Sequence, residues 1–227
     1  MPMPFYVAPE QMMKDRSDYA QKGIARGKPV MALEHTEGIL FIADNPSTHL
    51  YKISEIYDRI AFAAVGKYSE FENLRIAGVR LADVRGYSYD REDVTAKSLA
   101  NAYSQGLATI FTQEMKPYEV EILVAQVGER PEDTEMFHIL YDGSVTDEDG
   151  FVAMGGEAEA LTERLKEGYR SEMTLADALK LGVDALSTQN GERLAAERLE
   201  VAVLDRTRRR RKFRRLPNDE VAELLAA

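Results

Sequence analysis

Strand-like segments occur in blocks along this chain, and pairs of helix-like segments separate the blocks. The strand signal is a short run rich in β-branched and aromatic residues, and it recurs at 30–33, 39–43, 50–56, 59–67, 118–128, 135–145, 151–156, 198–206 and 212–216. The helix pairs fall at about 70–116 and 157–189. Strands grouped in blocks favour antiparallel sheets whose faces are covered by the helix pairs. The sequence therefore predicts an α+β fold built as a four-layer α/β/β/α sandwich.

The first block opens with "GKPVMALEHTEGILFIADN", residues 27–45, which predicts a β-hairpin. Two apolar runs are separated there by a polar link that contains a glycine. Gly27, Lys28 and Pro29 precede the first run, and the second ends at Asp44, an acid of the kind that often serves chemistry at a strand end. No hydroxyl or thiol immediately precedes the first strand, so the hairpin lacks a nucleophile at its start.

Capping patterns predict where several helices begin. Ser69 with Glu72 matches the capping box, in which a hydroxyl and a carboxylate satisfy the first free N–H groups of a helix. Thr95 is predicted to cap the next helix, and Thr174 with Asp177 repeats the same logic before the second pair.

The N-terminus, "MPMPFYVAPEQ", lacks the basic start and apolar stretch of a secretory signal, and no run approaches the length of a membrane span. We therefore expect a cytoplasmic protein without membrane contact. Residues 9–25 place apolar side chains close to one helical face, with Pro9 suited to the first turn, and predict an amphipathic helix.

Composition excludes several kinds of site. The chain has no cysteine, so disulfides and thiolate metal sites are not available. His35, His49 and His138 share no short ligand spacing, and we predict neither a metal nor a cofactor. Gly155 and Gly156 fit neither a GxGxxG nor a P-loop pattern and predict close packing of a strand on a helix. The 227 residues, 44% of them hydrophobic, are enough for one compact domain.

Charge is distributed unevenly. The net charge is −10, yet residues 206–215, "RTRRRRKFRR", contain eight basic groups and no acid, so the other residues together carry −18. Clustered arginine can bind nucleic acid. However, this run lies between a strand and a final helix that begins near Pro217, and the acidic remainder would repel a polyanion. A solvated sheet edge or a contact with an acidic partner is the preferred interpretation, without nucleic acid.

Several ordered blocks resemble one known family. They are "KISEIYDRIAFAAVGKYSEFENLRIAGVRLADVRGYSYDRED", "KPYEVEILVAQVG", "YDGSV" and "MGGEAE", and they resemble the α subunit of the actinobacterial proteasome core particle. The resemblance covers about residues 5–216 and implies the four-layer sandwich of N-terminal-nucleophile hydrolases. It divides the chain into a gate segment, 1–8, the α-type domain with its N-terminal helix, 9–216, and a C-terminal helix or tail, 217–227.

The same resemblance implies a subunit without catalytic residues. Catalytic β subunits of the family carry a threonine at the start of the first strand, where its own amine serves as the base. The aligned residue here is Lys28, which has no hydroxyl. Asp44 falls where the catalytic subunits keep an acid, and it is interpreted here as a strand-end turn residue.

An activator-docking pocket is also implied. Lys52 matches a lysine that lies in a pocket between neighbouring α subunits and pairs with the C-terminal carboxylate of an activator, although a solvated strand lysine is the alternative. Gly66 would line the pocket, and Asp18 on the N-terminal helix would face the neighbour's lysine.

The implied partners are further copies in a heptameric ring, proteasome β subunits, a ring-shaped ATPase activator, and unfolded or tagged protein substrates. The start of the chain would gate the channel, without the Tyr-Asp-Arg sequence of archaeal and eukaryotic α subunits. The gate residues are Pro2, Met3, Pro4, Phe5 and Tyr6. The alternative is a self-activating amidohydrolase of the same fold, whose nucleophile would be sought among Thr36, Ser47 and Thr48, all in predicted turns.

Overall fold

The structure is a computed structural model that describes residues 8–187 and 194–226. The helices are α1 (Pro9–Ala25), α2 (Tyr68–Ser88), α3 (Ala96–Gln113), α4 (Ala158–Gly168), α5 (Leu175–Ser187) and α6 (Asn218–Ala226). The strands are β1 (Val30–His35), β2 (Gly38–Asp44), β3 (Ile53–Tyr57), β4 (Ile60–Gly66), β5 (Val120–Gln126), β6 (Glu135–Ile139), β7 (Val145–Asp147), β8 (Phe151–Met154), β9 (Leu199–Asp205) and β10 (Phe213–Arg215). The predicted segments occur in the predicted order, except that a turn divides 135–145 so that β6 and the start of β7 take its place.

The strands form two five-stranded antiparallel sheets, as predicted. The first sheet has the order β10-β9-β2-β1-β8 and the second the order β3-β4-β5-β6-β7. The predicted first hairpin is confirmed, with Val30 opposite Ala43 and His35 opposite Gly38. Most sequential strands within a sheet are direct neighbours, which is typical of antiparallel topologies.

Both faces of each sheet are buried, and this produces the four layers. Along β1, Val30 and Ala32 join the apolar cluster between the sheets, while Met31 and Leu33 join the cluster with α4 and α5. In the second sheet, Phe62 packs in the cluster with α2 and α3. Burial of a side chain as large as Leu33 or Phe62 stabilises the fold by about 1.5–3 kcal/mol. The period-two alternation therefore fixes which residues face the other sheet, and the α/β/β/α sandwich is confirmed.

Two of the three predicted helix caps are confirmed. The Thr95 hydroxyl accepts a hydrogen bond from the backbone N–H of Ser98 at 3.2 Å. Thr174 likewise accepts from the N–H of Asp177 at 3.2 Å and donates to its carboxylate at 2.7 Å. The capping box at Ser69 was wrong, because α2 already begins at Tyr68 and its first turn has no capping side chain at the preceding residue.

The carboxylate expected in that capping box has another partner. Glu72 accepts two hydrogen bonds from the Arg75 guanidinium, at 2.9 and 2.6 Å. A bidentate pair with a guanidinium is stronger than one bond to a neutral backbone N–H, so the pair one turn along the helix is preferred.

Gly156 lies between β8 and α4 and brings that connection close to the one between α1 and β1. Its N–H donates to the carbonyl oxygen of Gly27 at 3.0 Å, and a Cβ here would lie 2.8 Å from the carbonyl oxygen of Ala25. This contact fixes the segment that leads into β1. None of the helices formed by residues 8–187 and 194–226 has both the length and the apolar character of a membrane span.

Candidate functional site

Charged side chains from distant parts of the sequence meet where the first hairpin ends. Lys28 lies between α1 and β1, Asp44 ends β2, Lys52 immediately precedes β3, and Arg198 with Glu200 marks the start of β9. We call these five residues the Lys52 site. They converge because β2 pairs with both β1 and β9, while β3 lies in the facing sheet.

The position aligned with the family nucleophile lies inside a continuous, hydrogen-bonded segment. The Gly27 N–H donates to Ile24 at 2.8 Å, which joins the segment to the end of α1. The Lys28 carbonyl oxygen accepts a hydrogen bond from the Lys52 ammonium at 2.6 Å. Lys28 therefore has an ammonium where a nucleophile would need a hydroxyl, and its backbone is fixed by the bond from Lys52.

Asp44 is held by two cations. The Lys28 ammonium lies 2.7 Å from its carboxylate, and the Arg198 guanidinium donates to both carboxylate oxygens, at 2.9 and 3.1 Å. The Asp44 side chain is only 13% exposed, so solvent screens these pairs less than a pair on the open surface.

Lys52 is partly buried, and this changes its acid–base behaviour. Burial lowers its pKa to about 8, while the negative charges of Asp44 and Glu200 oppose the decrease and Lys28 adds to it. With one N–H donated to the Lys28 carbonyl, the ammonium keeps two N–H groups that residues 8–187 and 194–226 do not use and that a ligand can accept from.

Gly66 borders the same segment as Lys52, from the side of the second sheet. Its φ is +103°, and a Cβ would overlap the carbonyl oxygen of Glu119 on the neighbouring chain segment. A Cβ on Gly27 would in turn lie 3.2 Å from the Gly66 nitrogen. The structure thus brings both the Lys52 ammonium and the Gly66 backbone next to residues 27–28.

Asp18 lies on α1 and is not part of the Lys52 site. It is exposed on α1, whose buried residues are Ala20 and Ile24, and its carboxylate makes no hydrogen bond or ion pair with residues 8–187 or 194–226. The five predicted gate residues lie outside the described residues.

Glu200 was missed by sequence reasoning. It is 7% exposed, and its carboxylate accepts from the backbone N–H of Lys52 at 2.9 Å and of Ile53 at 3.0 Å. Arg215 balances its charge at 2.5 Å. Alternation along β9 places Glu200 on the face between the sheets, with Ala202 and Leu204, so the available signal was an acid at an inward position of an apolar strand.

The hydroxyls considered for the alternative function lie in connections, as predicted. Thr36 is in the turn of the first hairpin, where its N–H donates to Met173 at 3.0 Å. Ser47 accepts from the N–H of Leu50 at 3.0 Å, and Thr48 is exposed beside it. Within the described residues, no group of three or more histidine, aspartate or glutamate side chains has the geometry of a metal site.

The basic run forms the turn between β9 and β10 together with β10. Arg211 pairs with Glu55 at 2.7 Å, and Arg214 donates to Glu220 at 2.5 and 2.6 Å. Part of the positive charge is therefore neutralised by carboxylates of the same chain, and the residues at 208–210 are exposed.

Comparisons with known proteins agree with this architecture. Residues 24–204 match the family model described as "Proteasome subunit". The chain is 61% identical over its whole length to the proteasome subunit alpha of Kineococcus radiotolerans, of which 99% is covered. It is 60% identical over its whole length to that of Thermomonospora curvata, also 99% covered, and 62% identical over 95% of its length to that of Xylanimonas cellulosilytica, 93% covered.

Proposed function

The chain belongs to the proteasome α-subunit family, and from this membership we propose that it is the non-catalytic subunit of the core particle's outer ring, which gates the passage of substrates and docks a ring ATPase. Its partners are then further copies in a heptameric ring, the catalytic β subunits, the ATPase, and the unfolded or tagged proteins that the ATPase delivers.

The observation that carries the proposal is the side chain at position 28. An N-terminal-nucleophile enzyme needs a hydroxyl or thiol there, next to the amine that processing frees. Lys28 carries an ammonium instead, which pairs with Asp44 at 2.7 Å. A scaffold of this shape without its nucleophile suits a subunit that assembles and admits substrates.

The charges of the Lys52 site support docking of a terminal carboxylate. Lys28, Lys52 and Arg198 are cationic, Asp44 neutralises one of them, and the charge of Glu200 is balanced by Arg215. The excess of positive charge favours an anion. Because Lys52 is set back from the surface, a chain terminus reaches it more readily than a side chain on a folded surface does.

Gly66 and Asp18 complete the proposed pocket. Gly66, at the end of β4, would line the pocket with its backbone, close to residue 27. Asp18 presents an exposed carboxylate from α1 and would face the Lys52 of a neighbouring copy in the ring.

The purified full-length chain is expected to hydrolyse no fluorogenic peptide and to keep its N-terminal segment, because Lys28 has no hydroxyl or thiol. Peptidase activity should appear together with stacked rings when the β subunit is added. Intact-mass measurement, peptide hydrolysis and negative-stain microscopy check this. Hydrolysis by the chain alone that disappears in Thr36→Ala, Ser47→Ala or Thr48→Ala would favour the amidohydrolase instead.

Deleting residues 1–7 is expected to leave assembly intact and to speed degradation of unfolded proteins by the α/β particle several-fold. The physical reason is that an apolar segment containing two prolines precedes a helix that begins at Pro9. Copies of this segment from neighbouring subunits can then meet on the symmetry axis of the ring. A full-length variant with Phe5→Ser and Tyr6→Ser should show part of the same increase. Equal turnover by intact and truncated particles would count against a gate.

A further inference from the structure

Glu200 is a buried carboxylate that accepts more hydrogen bonds than the single ion pair that balances its charge. One oxygen accepts from the Lys52 N–H at 2.9 Å and the Asn45 side-chain amide at 2.7 Å. The other accepts from the Ile53 N–H at 3.0 Å and the Arg215 guanidinium at 2.5 Å. Four donors therefore converge on two oxygens.

This arrangement requires a carboxylate, because only an acceptor without hydrogens can receive two donors at each oxygen. A glutamine of the same shape would turn an NH₂ group toward one of the two donor pairs. Either orientation loses two hydrogen bonds and brings donors against donors in a buried place, which is costly.

The donors span the whole connection that precedes β3. The Asn45 amide also donates to the Leu50 carbonyl at 2.7 Å, which closes the loop. Arg215 also donates to the Ile53 carbonyl at 2.6 Å and lies 4.0 Å from the centre of the Tyr51 ring. Glu200 is the common acceptor, so it fixes the backbone from which the Lys52 side chain extends.

We propose that Glu200 is a positioning residue that holds Lys52 where its ammonium can bind a terminal carboxylate. The inference rests on the proposed docking function, and it adds the residue that makes the docking geometry possible. It assigns Glu200 no contact with the ligand itself.

The first test measures amide hydrogen exchange in assembled α/β particles carrying Glu200→Gln. Exchange at the Lys52 and Ile53 amides should rise by at least about tenfold, since both lose their fixed acceptor, while the centres of β4 and β5 keep their protection. The matched control is Glu55→Gln, which removes the same charge from β3 and breaks the pair with Arg211. Unchanged exchange at these two amides in Glu200→Gln would overturn the proposal.

The second test measures binding of a peptide with the C-terminal sequence of the ring ATPase, with its amidated form as the blank. Glu200→Gln should weaken binding by at least about tenfold, and Glu55→Gln should leave it near wild type. The pH at which half of the binding is lost should also fall, because the negative charge of Glu200, with that of Asp44, holds the pKa of Lys52 up against burial and Lys28. A uniformly destabilised chain would not move this pH.

Outcomes separate this inference from the docking function. If Lys52→Ala binds the peptide like wild type, the proposed docking function is wrong. If Lys52→Ala no longer binds the peptide but Glu200→Gln binds it normally, only the proposed role of Glu200 is wrong. Should Glu200→Gln not assemble, Asn45→Ala removes one of the four donors, whereas glutamine loses two. It is expected to raise the same amide exchange and to weaken binding by about half as much on a logarithmic scale, without the change in pH, because it keeps the Glu200 charge. Wild-type exchange and binding in Asn45→Ala would then overturn the proposal.

Discussion

Replacing Lys52 by alanine is expected to abolish nearly all ATPase-stimulated degradation while leaving hydrolysis of short peptides by the particle unchanged. A partly desolvated ammonium forms a charge-assisted hydrogen bond with a terminal carboxylate, and removing one partner of such a pair costs about 2–5 kcal/mol. The loss recurs at every pocket of the ring, and multivalent binding amplifies it. The measurements are activator affinity and degradation rate for particles whose assembly has been checked by gel filtration.

The pH dependence of docking gives an independent check on the same residue. Only the protonated amine binds a carboxylate well, and burial lowers the pKa of free Lys52 to about 8. The affinity for the activator should therefore be full below that pH and fall as the pH rises through it, well before an ordinary lysine would titrate.

The matched control for Lys52→Ala is Lys166→Ala, which removes an exposed lysine paired with Glu163 on α4 and should bind and respond like wild type. The same behaviour in Lys52→Ala would make Lys52 a solvated strand lysine.

Local patterns predicted the layers of this fold well. Both faces of the β1–β2 hairpin are buried, and its register follows from two apolar runs of similar length around a short turn. Thr95 and Thr174 cap their helices because a hydroxyl at that place has no stronger competitor. At Ser69 the same pattern gave a wrong prediction, because Glu72 pairs with the guanidinium of Arg75 instead of a backbone N–H. A pattern of residue types does not show which of two possible partners binds more strongly.

The Lys52 site was predictable only in part. Lys52, Gly66 and Asp18 came from resemblance, and nothing in their immediate sequence indicates a pocket. Glu200 and Arg198 are more than 140 positions beyond Lys52, and only the pairing of β9 with β2 brings them beside it. A buried acid in an apolar strand indicates that some donors are near, but not which ones.

Lys52 is proposed to bind a ligand, whereas Gly66 also has a role in the fold itself. The resemblance implies that it lines a groove, while the structure also gives it a conformation that side chains rarely adopt and a close approach to β5. The Glu119 carbonyl that a Cβ would overlap also accepts the N–H of Lys67 at 2.9 Å. It cannot move away without losing that bond, so the strain is not easily relieved.

Gly66→Ala is therefore expected to destabilise the whole chain by about 2–5 kcal/mol, from backbone strain and overpacking together. For a chain of this size the melting temperature should fall by roughly 5–15 °C. Thermal and urea unfolding of the full-length chain measure this. The matched control is Gly106→Ala in the interior of α3, where a Cβ meets no atom within 4 Å. There, alanine should stabilise the chain by about 0.5–1 kcal/mol, since glycine disfavours the helix.

The pair of glycine variants also decides how loss of docking in Gly66→Ala should be interpreted. If that variant unfolds earlier and assembles poorly, its loss of activator binding follows from the weakened β4–β5 pairing and says nothing about the groove. If it is as stable as wild type but no longer binds the activator, the backbone has relaxed around the new methyl group and the glycine serves the groove instead. Lys52→Ala avoids this ambiguity, because it shortens a partly exposed side chain and leaves the Lys52 N–H bonded to Glu200.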